Sequence, residues 1–173
     1  MPQSPQFSAS RRAFFRLSRQ PKEDVFRPPW SDEASLAAHC TGCNACAEAC
    51  PEKIISLGKD QRPFLDFNSG ACTFCGACAE ACPTDALDHA RELDWPWKAD
   101  IQKTCLSLQA VTCRTCEDVC EPRAIRFKLA TGGISEPVVD EGQCTGCGAC
   151  AHSCPVQAIS LKKPPIQSEK VTA

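Results

Sequence analysis

The sequence predicts an α+β fold made of two tandem modules, in which short strands and short helices surround cysteine loops. The chain has 173 residues and 16 cysteines, which fall into four similar segments, and such an internal repeat indicates small repeated units. Aromatic residues make up only 6% of the sequence, and there is no Tyr. Modules of about 60–70 residues with so few large side chains need cross-links, such as disulfides or bound metal, in addition to packing.

Three of the four segments have the same spacing, CxxCxxCxxxC followed by proline. They are motif 1 (Cys40, Cys43, Cys46, Cys50, Pro51), motif 2 (Cys72, Cys75, Cys78, Cys82, Pro83) and motif 4 (Cys144, Cys147, Cys150, Cys154, Pro155). Iron takes soft thiolate ligands, and this spacing is that of bacterial ferredoxins. The sequence therefore predicts tandem bacterial 2[4Fe-4S] ferredoxin-like modules.

Motif 3 is irregular. Its last three cysteines match the pattern, and they are Cys113, Cys116 and Cys120. Ala110 stands where the first cysteine is expected, and Cys105 lies before it, so residues 106–112 form a longer loop between the first and second ligands. With Cys105 included, the cysteines predict four [4Fe-4S] clusters and none is left over.

The spacing also predicts how the motifs share clusters. In two-cluster ferredoxins the last cysteine of each motif ligates the cluster of the other motif. Pairing neighbouring motifs gives Cys40, Cys43 and Cys46 with Cys82; Cys72, Cys75 and Cys78 with Cys50; Cys105, Cys113 and Cys116 with Cys154; and Cys144, Cys147 and Cys150 with Cys120. A nested arrangement, in which the outer motifs pair with each other, stays open.

Other uses of cysteine fit the sequence less well. Structural zinc sites use two cysteine pairs, or cysteine with histidine, rather than CxxCxxC. Disulfides persist in oxidising compartments, and the N-terminus lacks the apolar stretch of an export signal. We expect His39, His89 and His152 to be ordinary surface or loop residues, because the cysteines already complete four clusters.

The predicted organisation has four parts. Residues 1–30 are proline-rich and charged, and they predict a flexible arm. Residues 31–92 form the module with motifs 1 and 2, and residues 93–163 form the module with motifs 3 and 4. Residues 164–173 form a polar tail. Trp95 and Trp97, near the boundary, either belong to the linker or cover the clusters from solvent.

Each repeat predicts a strand, a cysteine loop, a short helix and a return strand. The leading strands fall at residues 64–67 and 138–140, and the return strands at residues 54–57, 86–89, 125–129 and 158–161. Residues 31–39 instead predict a helix that starts near Asp32, so the first repeat lacks a leading strand.

Charge and hydropathy exclude several classes of function. The formal net charge is −2, and four clusters would bring it to about −10, because four thiolates around a 2+ core leave about −2 per site. This charge gives no basic field for nucleic acid, and no stretch is apolar enough to span a membrane. No catalytic residue set, P-loop or dinucleotide motif is present, so we expect a protein that is not an enzyme.

Arg11, Arg12, Phe14 and Phe15 lie in a segment that imitates a twin-arginine export motif. Export signals need an apolar stretch directly after the arginines, whereas residues 17–27 contain several charges. We therefore expect a cytoplasmic protein. The segment is either a solvated basic arm or a docking element in which the two Phe side chains anchor a partner.

Several features go beyond a general ferredoxin pattern and extend over nearly the whole chain. They are the arm at residues 10–12, the RPPWS entry to motif 1 at residues 27–31, the expanded motif 3, the CEP sequence at residues 120–122 and the CTGCGAC run at residues 144–150. With these features the sequence resembles the NapF family, four-cluster ferredoxin-type proteins associated with bacterial periplasmic nitrate reductase.

The resemblance implies a cytoplasmic protein that assists maturation of the catalytic subunit NapA, a molybdenum and [4Fe-4S] enzyme, before NapA is exported. The partner would then be the cytoplasmic NapA precursor, with a redox donor protein as a possible second partner. Two other functions fit the same cysteines. One is a general electron carrier, and the other is a module whose clusters hold the fold and report oxygen or iron supply.

Overall fold

The computed structural model describes residues 25–93, 95–130 and 134–164. Short helices and short strands alternate with the cysteine loops over these residues. The helices are α1 (Glu33–His39), α2 (Ala45–Ala49), α3 (Ala77–Glu80), α4 (Thr115–Asp118) and α5 (Ala149–His152), with a 3-10 helix at Leu106–Gln109. The strands are β1 (Ile55–Leu57), β2 (Pro63–Leu65), β3 (Lys98–Ile101), β4 (Ile125–Leu129), β5 (Ser135–Val139) and β6 (Ile159–Lys162).

The strands pair into antiparallel two-stranded sheets. β1 and β2 form a hairpin in the first half, and β4 and β5 form the equivalent hairpin in the second half. β3 pairs with β6, with Ile101 opposite Ile159, so the strand before motif 3 lies beside the strand after motif 4. The strands predicted after motifs 1, 3 and 4 are present, and the second strand of each hairpin begins earlier than predicted.

The return strand predicted at residues 86–89 is wrong. These residues form turns and bends rather than a ladder. The segment that occupies the place of β3 in the first half contains Pro28 and Pro29, which have no backbone N–H to donate. The N–H of Asp88 donates to the carbonyl of Trp30 at 3.1 Å, but the segments do not continue into a sheet.

Helix α1 takes the place of the missing leading strand. Its N-cap is Asp32, whose side chain accepts a hydrogen bond of 2.7 Å from the N–H of Ser35, while the Ser35 hydroxyl accepts from the N–H of Asp32 at 3.1 Å. Such a capping box satisfies two of the free N–H groups at a helix start. Leu36 is 1% exposed and joins the core, so the predicted helix is confirmed.

The core lies directly behind the cysteine loops. Four residues after each fourth cysteine, the chain enters the core with a pair of consecutive side chains that are at most 8% exposed. The pairs are Ile54 and Ile55, Ala86 and Leu87, Ala124 and Ile125, and Ala158 and Ile159. Because the same position is buried in every repeat, folding of the core and positioning of the cysteines are linked.

Aromatic side chains join the two halves. The ring of Phe26 packs edge-on against Phe67 at 5.2 Å and against Trp97 at 4.6 Å, measured between ring centroids. Phe67 also lies against the backbone of Gly148 in the second half, where an added Cβ would overlap its ring. The ring nitrogen Nδ1 of His152 lies 2.9 Å from the carbonyl of Asn68. The halves therefore form one continuous hydrophobic core.

We predict that Gly148→Ala destabilises the protein by about 2–4 kcal/mol, because alanine is strained at a φ of +85° and its methyl group would push Phe67 out of the contact. Gly142→Ala is the matched control, since its Cβ would meet only Asp140 Oδ1 at 3.3 Å. Denaturant unfolding of anaerobically prepared protein, followed by circular dichroism, measures both. Equal midpoints for the two variants would contradict the packing described here.

Candidate metal centres

In the first half the structure gathers the thiols of motifs 1 and 2 into two groups of four. One cavity is lined by the first three cysteines of motif 1 and the last of motif 2, and we call it site 1 (Cys40, Cys43, Cys46, Cys82). The other has the reciprocal composition, and we call it site 2 (Cys72, Cys75, Cys78, Cys50).

The second half repeats the arrangement. The thiols that act electrostatically on Cys116 are those of Cys105, Cys113 and Cys154, which define site 3. By the same crosswise pattern Cys144, Cys147 and Cys150 group with Cys120 as site 4; burial raises the pKa of Cys150, and the thiolates of Cys147, Cys144, Cys116 and Cys120 raise it further. The cavities of sites 1 and 2 pair neighbouring motifs, as the tandem arrangement predicts, and the grouping of sites 3 and 4 stays a prediction on the same pattern.

The short helices explain this exchange of cysteines. The third and fourth cysteines of motifs 1, 2 and 4 are four residues apart, at or just beyond a helix, so about one turn separates them. On α2, for example, Cys46 lies in site 1 whereas Cys50, the C-cap, lies in site 2. Each helix therefore contributes to two sites, and neighbouring sites share helices.

Residues with positive φ shape the loops. The position two residues after the first cysteine has positive φ in motifs 1, 2 and 4, and the residues there are Gly42, Phe74 and Gly146. The helix N-caps Asn44, Gly76 and Gly148 are also left-handed. The side chain of Phe74 gives no sequence signal for positive φ, whereas Asn44 belongs to a residue type that is enriched in this region.

Burial differs among the cysteines. The third cysteine of each motif is 8% exposed, and burial raises the pKa of Cys46 and Cys116 to about 11 and that of Cys78 and Cys150 to about 12, with neighbouring thiolates adding to the effect. Four thiolates in one cavity repel each other unless a cation balances them. An iron–sulfur core supplies that positive charge.

Cys72 of the first half lies close to Cys147 of the second half. Burial raises its pKa to about 11, and the thiolates of Cys50, Cys75 and Cys147 contribute in the same direction. Cys147 belongs to site 4, and its backbone carbonyl accepts a hydrogen bond of 2.8 Å from the N–H of Cys72. Sites 2 and 4 are therefore in direct contact through the backbone.

In motifs 3 and 4 the fourth cysteine accepts a hydrogen bond from the N–H of the residue four positions later. The N–H of Ala124 donates to Cys120 Sγ and that of Ala158 donates to Cys154 Sγ, each at 3.2 Å. Burial alone would raise the pKa of Cys82, but N–H groups such as that of Thr84 bond to its sulfur and lower it overall. Hydrogen bonds to ligand sulfur tune the potential of a cluster. The sequence signal was the alanine repeated at this position.

The long loop of motif 3 is ordered. Residues Leu106–Gln109 form the 3-10 helix, which ends at Ala110 with a φ of +61°. Ser107 is 2% exposed, and its hydroxyl donates to the carbonyl of Ser135 on β5. The displaced Cys105 of site 3 is thus followed by a 3-10 helix that is bonded to β5, where the sequence predicted only a longer loop.

The donor set fits an iron–sulfur cluster better than a single ion. All sixteen cysteines are free thiols. In the described residues, no three His, Cys, Asp or Glu side chains come together closely enough to hold one metal ion. The thiols of sites 1 and 2 instead surround cavities, and a polyatomic core with soft ligands suits that spacing.

The other candidate residues have structural contacts or lie outside the described part. The ring of His89 stacks on Trp30 at 4.7 Å. Trp97 is 5% exposed, and Trp95 Nε1 donates to the carbonyl of Gly146 at 3.2 Å beside site 4. The proposed docking residues Arg11, Arg12, Phe14 and Phe15 fall in residues 1–24, outside the described residues.

Among the residues that the structure describes, no helix is long and apolar enough to cross a membrane.

Comparison with known proteins agrees with the site. Residues 39–86 and 111–158 each match the 4Fe-4S dicluster domain family. The fold and the paired thiol sites therefore define an iron–sulfur protein with tandem dicluster domains.

Similar proteins indicate which family of iron–sulfur proteins the chain belongs to. Over 136 residues the chain is 47% identical to the ferredoxin-type protein NapF of Haemophilus influenzae, which covers 78% of this chain and 77% of that protein. It is 41% identical over 155 residues to the NapF protein of Escherichia coli strain K12, with 89% and 94% covered. A methylamine utilization ferredoxin-type protein, MauM of Methylophilus methylotrophus, is 31% identical over 160 residues, with 80% and 70% covered. The chain belongs to the NapF family of ferredoxin-type proteins.

The grouping of the thiols predicts an unusual result for Cys82→Ala. This substitution lies in motif 2 but removes a ligand from site 1. Adding Cys43→Ala, also in site 1, should remove no further cluster, whereas adding Cys75→Ala should remove a second one. Iron and acid-labile sulfide analysis should therefore show that Cys82→Ala with Cys43→Ala loses about four iron atoms per chain, whereas Cys82→Ala with Cys75→Ala loses about eight.

Cys50→Ala is the matched control, and it should give the reverse order with the same two partners. The same iron loss in both double variants, or the opposite order for Cys82→Ala, would contradict the crosswise grouping.

Proposed function

We propose that the chain holds four [4Fe-4S] clusters, one on each of sites 1 to 4, and assists maturation of the periplasmic nitrate reductase catalytic subunit NapA in the cytoplasm. The observation that carries the proposal is the identity of 41–47% to NapF proteins over most of the chain. In this proposal residues 31–92 and 93–163 are the two cluster-bearing modules. The protein itself carries clusters and performs no catalysis.

The exposure of the sites supports docking at the first half. Cys43 and Cys75 are the exposed cysteines, one in site 1 and one in site 2, and the remaining fourteen are at least partly buried. A partner that receives electrons or an iron–sulfur unit must approach a cluster closely, so the surface around these two residues is the natural contact.

The charge of the chain also supports docking of a partner at the first half. With about −2 per loaded site, the cluster-bearing surface is acidic, whereas the arm contains Arg11 and Arg12. The chain therefore offers a partner two features of opposite sign. In this proposal the two arginines and the neighbouring Phe14 and Phe15 anchor the NapA precursor while sites 1 and 2 face it.

General electron transfer is the second candidate, and one observation favours it. The hydrogen bond from the N–H of Cys72 to the carbonyl of Cys147 brings a site of each half together. A module whose clusters only held the fold would not need this contact, whereas a carrier benefits from having its sites in series.

We predict that the anaerobically purified, cluster-loaded chain retains the NapA precursor in a pull-down, because the arm and the acidic surface offer complementary contacts. Arg11→Ala with Arg12→Ala should weaken retention about tenfold or more, as expected when interface arginines are lost. Iron and sulfide measured on the bait should remain at about sixteen iron atoms per chain.

The matched control is Arg19→Ala with Lys22→Ala, which removes the same charge from the same arm and should retain the precursor. If the fully loaded chain does not bind the precursor, the maturation role is wrong and a general electron carrier is the better description. Equal weakening by both double variants would show that the arm contributes only its net charge.

A further inference from the structure

The contact between sites 2 and 4 is the closest link between the two halves that involves cluster-bearing loops. The N–H of Cys72, the first cysteine of motif 2, donates to the carbonyl of Cys147, the second cysteine of motif 4, at 2.8 Å. Each of these residues contributes its thiol to its own site. Two short covalent paths and one hydrogen bond therefore join the sites, without any intervening side chain.

Aromatic groups surround this hydrogen bond. Phe74, two residues after Cys72, packs edge-on against Trp95 at 5.9 Å. Trp95 Nε1 in turn donates to the carbonyl of Gly146, the neighbour of Cys147. Both rings lie beside the contact, and both are partly buried.

Glycine makes the close approach possible. A Cβ at Gly146 would overlap the Trp97 carbonyl, and one at Gly148 would overlap the Phe67 ring of the first half. Both glycines also have positive φ, of +71° and +85°. Gly148 thus brings the loop of motif 4 against Phe67 of the first half, whereas Gly146 packs against Trp97 of its own half.

Within each half the sites are joined by helices. Cys46 of site 1 and Cys50 of site 2 flank one turn of α2, and Cys116 of site 3 and Cys120 of site 4 flank one turn at α4. Sites 1 and 3 have no corresponding contact between halves among the backbone hydrogen bonds of the described residues. Sites 2 and 4 are therefore inner sites, and sites 1 and 3 are outer sites.

We infer that the Cys72–Cys147 backbone contact electronically couples sites 2 and 4, so that the four sites form one series in the order 1, 2, 4, 3 rather than two independent pairs. With clusters held by these thiols, an electron lost from site 2 would be the electron gained at site 4, and no bond or proton would change. This inference rests on the proposed assignment of four clusters, but it does not depend on any partner. In this series an electron from the first half reaches the second half at site 4, which is built mainly by motif 4, rather than at site 3.

The test compares two pair variants that are matched in the exposure of the replaced thiols. The inner-pair variant keeps the inner sites 2 and 4. It carries Cys43→Ala and Cys113→Ala, which remove ligands from sites 1 and 3. The outer-pair variant carries Cys75→Ala and Cys147→Ala, which remove ligands from sites 2 and 4 and leave the backbone carbonyl of residue 147 in place. Variants in which three of the four sites have lost a ligand keep a single site each, and their spectra serve as the single-site references. Electron paramagnetic resonance is recorded on the fully reduced proteins after iron analysis.

The inner-pair variant should show splittings that are absent from the sum of its two single-site spectra. The outer-pair variant should equal the sum of its own references. An inner-pair variant that holds about eight iron atoms per chain and still gives a simple sum overturns the inference. Failure of the unmodified chain to hold about sixteen iron atoms would instead overturn the cluster assignment itself, so the two failures are distinguishable.

A second measurement keeps all sixteen cysteines. Gly148→Ala should displace Phe67 and weaken the spin interaction between the halves in the fully reduced, loaded protein, whereas Gly142→Ala should leave the spectrum unchanged. A Gly148→Ala protein with full iron and an unchanged spectrum contradicts the inference. Because this readout follows the distance between sites, a loss of stability alone does not produce the expected result.

Discussion

The spacing of four residues between the third and fourth cysteines of a motif is the constraint on which the rest of the structure depends. The third cysteine lies within a short helix and the fourth at or just beyond its end, as with Cys46 in α2 and its extended C-cap Cys50, so each helix serves two sites. The helices α2 and α3 must then pack against each other, as must α4 and α5. Metal binding and tertiary packing are in this way a single process, as in other small modules that fold around metal.

The same constraint places the core. Each fourth cysteine leads through a tight turn to a buried residue whose N–H, in motifs 3 and 4, bonds to the sulfur. The hydrophobic pair that follows is buried in every repeat. A core of small and medium side chains such as Ala86 and Ala124 has little stabilising area of its own, so the bonds to sulfur and the apolar contacts support each other.

Much of this could be predicted from the sequence because cysteine spacing carries geometric information. The helix after Asp32 and three of the four return strands followed from local pattern, whereas the choice between tandem and nested pairing of the motifs did not. The strand at residues 86–89 did not form, because its partner segment contains Pro28 and Pro29 and cannot donate to a ladder. The 3-10 cap on motif 3 and the contact of Cys72 with Cys147 depend on distant segments, and no local pattern reports them.

The exposure of Cys43 and Cys75 has a consequence for the lifetime of the protein in air. Oxidation of cysteine sulfur follows thiolate character and access, and in the described structure both of these sulfurs lie at the surface while their counterparts in the second half are partly covered. Oxidants would therefore attack sites 1 and 2 before sites 3 and 4. The half with the more accessible cysteines is therefore also the half whose sites are oxidised first.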